Sequence, residues 1–238
     1  MKRLILSFLC VTALLAVNAQ KTINDENAEK RNVTAFHGIE VSTGIKLVLT
    51  KGNTEEVAVS ADKIEYRDRI VTRVENGVLK IYYDNKLKAI NTKKEHKDLK
   101  AYVSYTDLDR LDANTGAIVE LEGALRSSTL KMKVNTGAIV TGTINVNNLE
   151  VEQNTGSIVT LTGEAATLKV DGDTGSIFKG SDLKTDNCTA NSSTGAGIYI
   201  TVQKELYVKA NTGGFVKYKG EAGVREIRTN TGGSVSKI

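Results

Sequence analysis

A chain of 238 residues with 32 basic and 28 acidic side chains could form one large unit or two smaller domains, and its charge balance gives no reason to expect nucleic acid or an anionic membrane as partner. Proline is absent, which suits a backbone whose N–H groups are nearly all committed to ladders. Of the two cysteines, Cys10 lies in an apolar leader, so Cys188 has no intramolecular disulfide partner and stability must come from packing and hydrogen bonding.

Residues 1–19 read as a secretory signal peptide: Lys2 and Arg3 precede an apolar run from Leu4 to Val17 that ends at Val17-Asn18-Ala19. The run is too short for a good membrane span, and no second apolar run of that kind follows, so an exported chain without a transmembrane segment is expected. Leu9 before Cys10 does not fit the small residue that precedes a lipoprotein cysteine. Removing Lys2 and Arg3 leaves 30 basic against 28 acidic residues. Residues 20–32 are polar and aperiodic and read as a spacer; Asn32-Val33-Thr34 matches a glycosylation sequon.

From Val33 the pattern is β. Ile39 to Val41, Ile45 to Leu49 and Val57 to Val59 are predicted strands separated by Thr43-Gly44 and Lys51-Gly52-Asn53 turns. Asp62 to Ile70 could hold one short helix. Ile70 to Val74 and Val78 to Tyr83 flank Glu75-Asn76-Gly77, a hairpin signal, and Ala101 to Tyr105 is a further strand. Lys86 to Lys100 is lysine-rich; it reads as a solvated loop, the alternative being a basic patch for an acidic glycan, weakened by its lack of arginine and aromatic residues. Residues 33–105 are therefore expected to form an irregular β cap.

The remainder, 106–238, is periodic. Asn-Thr-Gly stands at Asn114-Thr115-Gly116, Asn135-Thr136-Gly137, Asn154-Thr155-Gly156, Asn211-Thr212-Gly213 and Asn230-Thr231-Gly232, with Asp173-Thr174-Gly175 and Ser193-Thr194-Gly195 as near copies. Successive copies are 21, 19, 19, 20, 18 and 19 residues apart, the mark of a solenoid. Four residues before each threonine stand Leu111, Met132, Val151, Val170, Ala190, Val208 and Ile227; two after it stand Ala117, Ala138, Ser157, Ser176, Ala196, Gly214 and Gly233; four after it stand Val119, Val140, Val159, Phe178, Ile198, Val216 and Val235. Such columns are what stacked coils require, each inward residue lying above its predecessor. Strands of about five residues should flank each corner, with Gly123, Gly142, Gly163, Gly180 and Gly220 ending the second strand. A propeller blade would need a period of about forty. The expected fold is all-β, a right-handed parallel β-helix of seven coils about 30 Å long at roughly 4.8 Å per coil.

Each tripeptide is thus a corner. Asn, Asp or Ser can hydrogen-bond backbone two residues on, and glycine supplies positive φ at little steric cost. Stacked amides and hydroxyls are expected to form ladders from coil to coil.

The corner array, preceded by Phe36-His37-Gly38-Ile39-Glu40-Val41, Gly44-Ile45-Lys46-Leu47-Val48-Leu49-Thr50-Lys51-Gly52 and Val78-Leu79-Lys80-Ile81, resembles the family of auto-transporter adhesins with a head GIN domain, over nearly the whole chain from Val33. The resemblance implies an exported β-rich protein of Bacteroidetes-type bacteria and supplies no catalytic residues. Family corners tend to read Ser-Gly-Ser-Gly, whereas these read Asn-Thr-Gly-Ala or Asn-Thr-Gly-Ser.

No catalytic, metal or cofactor constellation stands out. Among Asp109, Asp112, Asp171, Asp173, Asp182 and Asp186, the pair Asp171 and Asp173 could approach a hydrolytic pair or a calcium loop, yet Asp173 occupies the asparagine column and reads as a turn residue. His37 and His96 lack partners at metal spacing. Cys188 shares a column with Leu130, Leu149, Leu168 and Leu206 and reads as a small buried hydrophobe. The column three after threonine runs Ile118, Ile139, Ile158, Ile177, Gly197, Phe215, Ser234. Either it points outward as a candidate interface or the corner turns beneath it and both it and its valine neighbour are buried; the pattern leans to burial. The expected function is a non-enzymatic exported module, structural or adhesive, that binds a glycan or protein, with a homo-oligomer as a further option. A polysaccharide lyase or glycoside hydrolase on the same scaffold is the alternative, favoured by an open groove with three or more charged residues from adjacent coils.

Overall fold

The computed structural model describes residues 25–85 and 96–238. The signal peptide, the start of the polar spacer and most of the lysine-rich stretch lie outside them. Among the described residues a single 16-stranded sheet winds into a β-solenoid. Its regular part is built from β9 (Ile118–Val134), β10 (Ile139–Gln153), β11 (Ile158–Gly172), β12 (Ile177–Ser192) and β13 (Gly197–Ala210), paired in parallel in that order. The next coil is made of β14 (Phe215–Lys219) and β15 (Gly223–Thr229), both on β13, and β16 (Ser234–Lys237) starts one more layer on β14.

Within a coil the strand is longer than expected. Instead of ending at a glycine, β9 to β13 run 14–17 residues, because parallel pairing continues through the bend. The register absorbs the turn by shifting between Thr141 and Thr143 and between Thr160 and Thr162. Inward and outward residues alternate, so Val140, Ile144, Val146, Leu149, Val151 and Gln153 face the interior of one coil. The paired exposure of Asn147 and Asn148 marks another bend. Register places each column's residues on one another, as Met132, Val151, Val170, Ala190 and Val208 show. Cys188 sits between Leu168 and Leu206, buried, and burial pushes its thiol pKa up, which keeps it protonated and inert.

Parallel pairing is not confined to residues 106–238. In the N-terminal part, β2 (Gly38–Val41) and β3 (Lys46–Lys51) form a coil whose corner is Ser42-Thr43-Gly44. On one side they pair with β8 (Arg110–Ala113) and with β9; on the other they pair with β6 (Val78–Tyr83) and β7 (Lys100–Tyr105). Spatial order therefore departs from chain order: the coil made first lies inside the coil made second. Between them the chain forms β4 (Glu56–Ser60), a four-residue helix α1 (Ile64–Arg67) within the expected helical stretch, and β5 (Ile70–Glu75). Antiparallel pairing of β4 with β7 and of β5 with β6 covers the outer edge, and β1 (Glu29–Arg31) adds three residues to β4.

Candidate functional site

The corner is a four-residue turn. The N–H of the small residue donates to the C=O of Asn, Asp or Ser at 2.8–3.3 Å in all seven copies. Both central residues have positive φ, 45–52° at threonine and 68–76° at glycine, the pattern of a type I′ turn. Glycine at positive φ follows from the sequence. Threonine there does not: a β-branched residue in the left-handed region costs on the order of 1 kcal/mol or more and persists only where its surroundings impose it. What imposes it is a backbone ladder. Each corner glycine N–H donates to the threonine C=O of the next coil at 2.9–3.1 Å, from Gly116 on Thr136 to Gly213 on Thr231, and Gly44 extends the ladder upstream to Thr115.

Side-chain links between corners occur at fewer steps than the expected ladders. Asn135 Nδ2 donates to Asn114 Oδ1 at 3.2 Å, and the Ser193 hydroxyl donates to Asp173 Oδ1 at 2.8 Å. Asn154 and Asp173 also cap their own turns, each accepting from the following threonine N–H at 2.7 Å. Hydrogen bonds from Thr194, Ser193 and the Thr174 N–H hold the Asp173 carboxyl below its usual pKa.

Beside the corners runs an open groove of about 510 Å³ spanning consecutive coils. One wall is the corner column from Asn135 to Asn211; the other is the column two residues earlier, Glu152, Asp171, Asn191 and Lys209. The residue between these walls points inward, so backbone forms the floor. Asp171 and Asp173 therefore line the same groove. Lys133 and Lys131 hold Glu152 in ion pairs of 2.7 and 2.9 Å and depress its pKa; Asp171 accepts from Asn191 at 2.6 Å and meets Lys169 at 3.3 Å. Lys209 and Asn211 have no side-chain partner among the described residues. Beneath the floor Gln153 Nε2 donates to the Ile177 C=O at 3.1 Å inside the solenoid. Glu152, Asn191 and Lys209 were missed by reading the corners alone, although their column is polar in every coil.

The isoleucine column resolves differently from the reading that leaned to burial. Ala117 and Val119 are fully buried while Ile118, between them, is 38% exposed, and Ile139, Ile158, Ile177 and Phe215 are half-buried. Alternation is kept because the small residue faces inward, so the strip faces outward. At its far end the Phe215 ring lies over Gly197 and meets Tyr199 edge to face at 5.7 Å.

The remaining candidates stay apart. His37 Nδ1 lies 2.7 Å from Asp109 Oδ1 on the surface, and His96 is exposed beside Asp62. Asp112 is buried against the Arg110 guanidinium; Asp182 and Asp186 lie on β12, where Lys204 pairs with Asp186 at 2.9 Å. Among the described residues no three acidic, histidine or cysteine side chains converge as a metal site requires, and no helix is long and apolar enough to cross a membrane.

Comparison with known proteins follows the same lines. The family model described as "Putative auto-transporter adhesin, head GIN domain" matches residues 35–222. Among solved structures, one described as a putative adhesin from Bacteroides fragilis superposes with a TM-score of 0.76 at 18% identity, over 89% of this chain and 96% of the other. Another so described, from Parabacteroides distasonis, gives 0.70 at 15% identity over 89% and 96%. A structure from the same species described as a putative lipid binding protein gives 0.63 at 16% identity over 90% and 98%. At these identities the likeness shows the fold. No curated protein matches the chain.

Proposed function

This chain belongs to the family of auto-transporter adhesins with a head GIN domain, and on that premise we propose that it is an exported, non-enzymatic binding module whose corner groove takes a glycan or protein ligand. The observation that carries this reading is the groove itself: amide, hydroxyl, carboxylate and ammonium groups from consecutive coils line one open channel, and the side chains of Lys209 and Asn211 have no partner among the described residues. An extended ligand lying along the stack would meet a new set of polar groups about every 4.8 Å.

The groove also brings charged residues from adjacent coils together, as the hydrolase alternative requires. Retaining and inverting hydrolysis both need a carboxylic acid held protonated near neutral pH. Ion pairing at Glu152 and hydroxyl donation at Asp173 act in the opposite direction, stabilising the carboxylates. That favours binding over acid catalysis.

The test is a screen of the chain lacking residues 1–19 on arrays of host and bacterial glycans. Retention that weakens about tenfold or more in Lys209→Ala and Asn211→Ala, with melting temperature unchanged, supports the groove. Retention indifferent to both variants removes it as the site, and cleavage of acidic polysaccharides abolished by Asp171→Ala establishes the enzyme instead.

A further inference from the structure

The outward strip carries a charge pattern that reads the same from both ends once one copy is reversed. Five coils separate Ile118 from Phe215 in the pairing register, about 24 Å at the spacing of paired strands. At the coil of Ile118 the residues two and four past the strip are Glu120 and Glu122; at the coil of Phe215 they are Lys217 and Lys219. Between the poles the column beside the strip is Thr141, Thr160, Lys179 and Tyr199. Glu120 also holds Lys46 at 2.9 Å and Glu122 accepts from Thr50 at 3.2 Å, so the acidic pole is oriented. Lys217 Nζ lies 5.9 Å from the ring centroids of both Tyr199 and Phe215, which fixes the basic pole beside the aromatic end of the strip.

We propose that this face is the docking surface for a second copy of the same chain, packed strip to strip with the two solenoids antiparallel. A two-fold axis parallel to the strands, passing between the coils of Ile158 and Ile177, lies midway along the strip. It sets Ile158 against the partner copy's Ile177 and Ile118 against its Phe215. The same operation brings Glu120 and Glu122 over the other copy's Lys217 and Lys219. Each contact then occurs twice, as an isologous interface demands. Packing about a two-fold along the solenoid would put each pole level with its own kind and pair no glutamate with a lysine, so the pattern favours the antiparallel arrangement. All the residues concerned point outward from the sheet, on the wall that follows the corner and away from the groove that precedes it, so the pairing stands or falls apart from the ligand reading.

Sedimentation equilibrium of the chain lacking residues 1–19, over a concentration range reaching hundreds of micromolar, tests the proposal. A concentration-dependent dimer is expected, with Ile158→Lys lowering the association constant at least tenfold at unchanged melting temperature. Glu120→Lys with Glu122→Lys makes both poles basic, and Lys217→Glu with Lys219→Glu makes both acidic; each double variant alone should stay monomeric, while an equimolar mixture dimerises. A monomer throughout the range overturns the proposal, as does a dimer that both double variants retain or a mixture that fails to associate.

Discussion

The two ends of the solenoid are finished differently. At the N-terminal end the coil of β6 and β7 is covered by antiparallel β5 and β4, and β4 carries β1 in turn, so Leu79, Ile81, Ala101 and Val103 are buried. At the other end β15 and β16 pair on one side only among the described residues. The core columns show the difference. Val208 is 1% exposed and Ile227, next in its column, is 46% exposed; Leu206 is 0% and Val224 is 41%. Identical local chemistry is therefore buried or exposed according to whether another layer lies above it, as expected of repeat architectures in which each unit contacts only its neighbours.

Equivalent substitutions at equivalent positions sharpen that contrast. Gly163 and Gly220 both have φ near 100°, and a Cβ at either would press into the carbonyl oxygen of the preceding coil, at Ile144 and Val202. Gly163→Val should cost about 4 kcal/mol and often prevent folding, because coils on both sides hold the strain in place. Gly220→Val should cost about half as much, since the last coil can detach. Thermal denaturation compares them; equal losses would contradict the open-end description. Next in size, Val208→Ala should cost about 2 kcal/mol against about 1 for Ile227→Ala, although isoleucine loses more carbon, as read from denaturant midpoints.

The closed end adds a pH dependence. Asp25 accepts from Tyr102 at 2.9 Å and from Ser60 at 3.0 Å, tying the residues before β1 to the cap. Burial alone would raise its pKa, but these bonds and one from the Asn27 N–H outweigh it and hold the carboxyl below the usual aspartate range. Tyr102, desolvated and beside this carboxylate, is pushed up to about 12. A depressed carboxyl stabilises the fold above its unfolded pKa and loses that contribution as pH falls through the folded pKa. Asp25→Asn should thus lower stability by about 1 kcal/mol at pH 7, the difference vanishing under strongly acid conditions. The smallest effect is expected at the corners: Thr155→Asn relieves a left-handed β-branched residue and should stabilise by a few tenths to about 1 kcal/mol, detectable as a rise in melting temperature.

Much of the stack was legible in the sequence because the columns four residues before and four after each corner threonine are apolar without exception and the corner glycines have one conformational role. The threonine conformation was not, since no local preference favours it; only the glycine-to-threonine backbone ladder between coils imposes it. The inward coil of β2 and β3 escaped notice for a related reason. Ser42-Thr43-Gly44 is a corner, but the cap strands separate it from Thr115, and a period search follows chain order rather than spatial order. The groove hid in a column that had to be read two residues before the corner. The direction of the strip was open in the sequence because alternation alone does not say whether the corner turns beneath it; Ala117, Ala138 and Ser157 are fully buried, which keeps the alternation and turns the isoleucines outward.

Peptide-resolved hydrogen exchange under native conditions tests the central claim, a parallel stack closed at one end, open at the other and entered out of chain order. Residues 38–51 should be protected as strongly as the interior coils 139–210, while residues 223–237 should exchange at least a hundredfold faster. Strong protection of 223–237, or exchange of 38–51 as fast as that last coil, would contradict it.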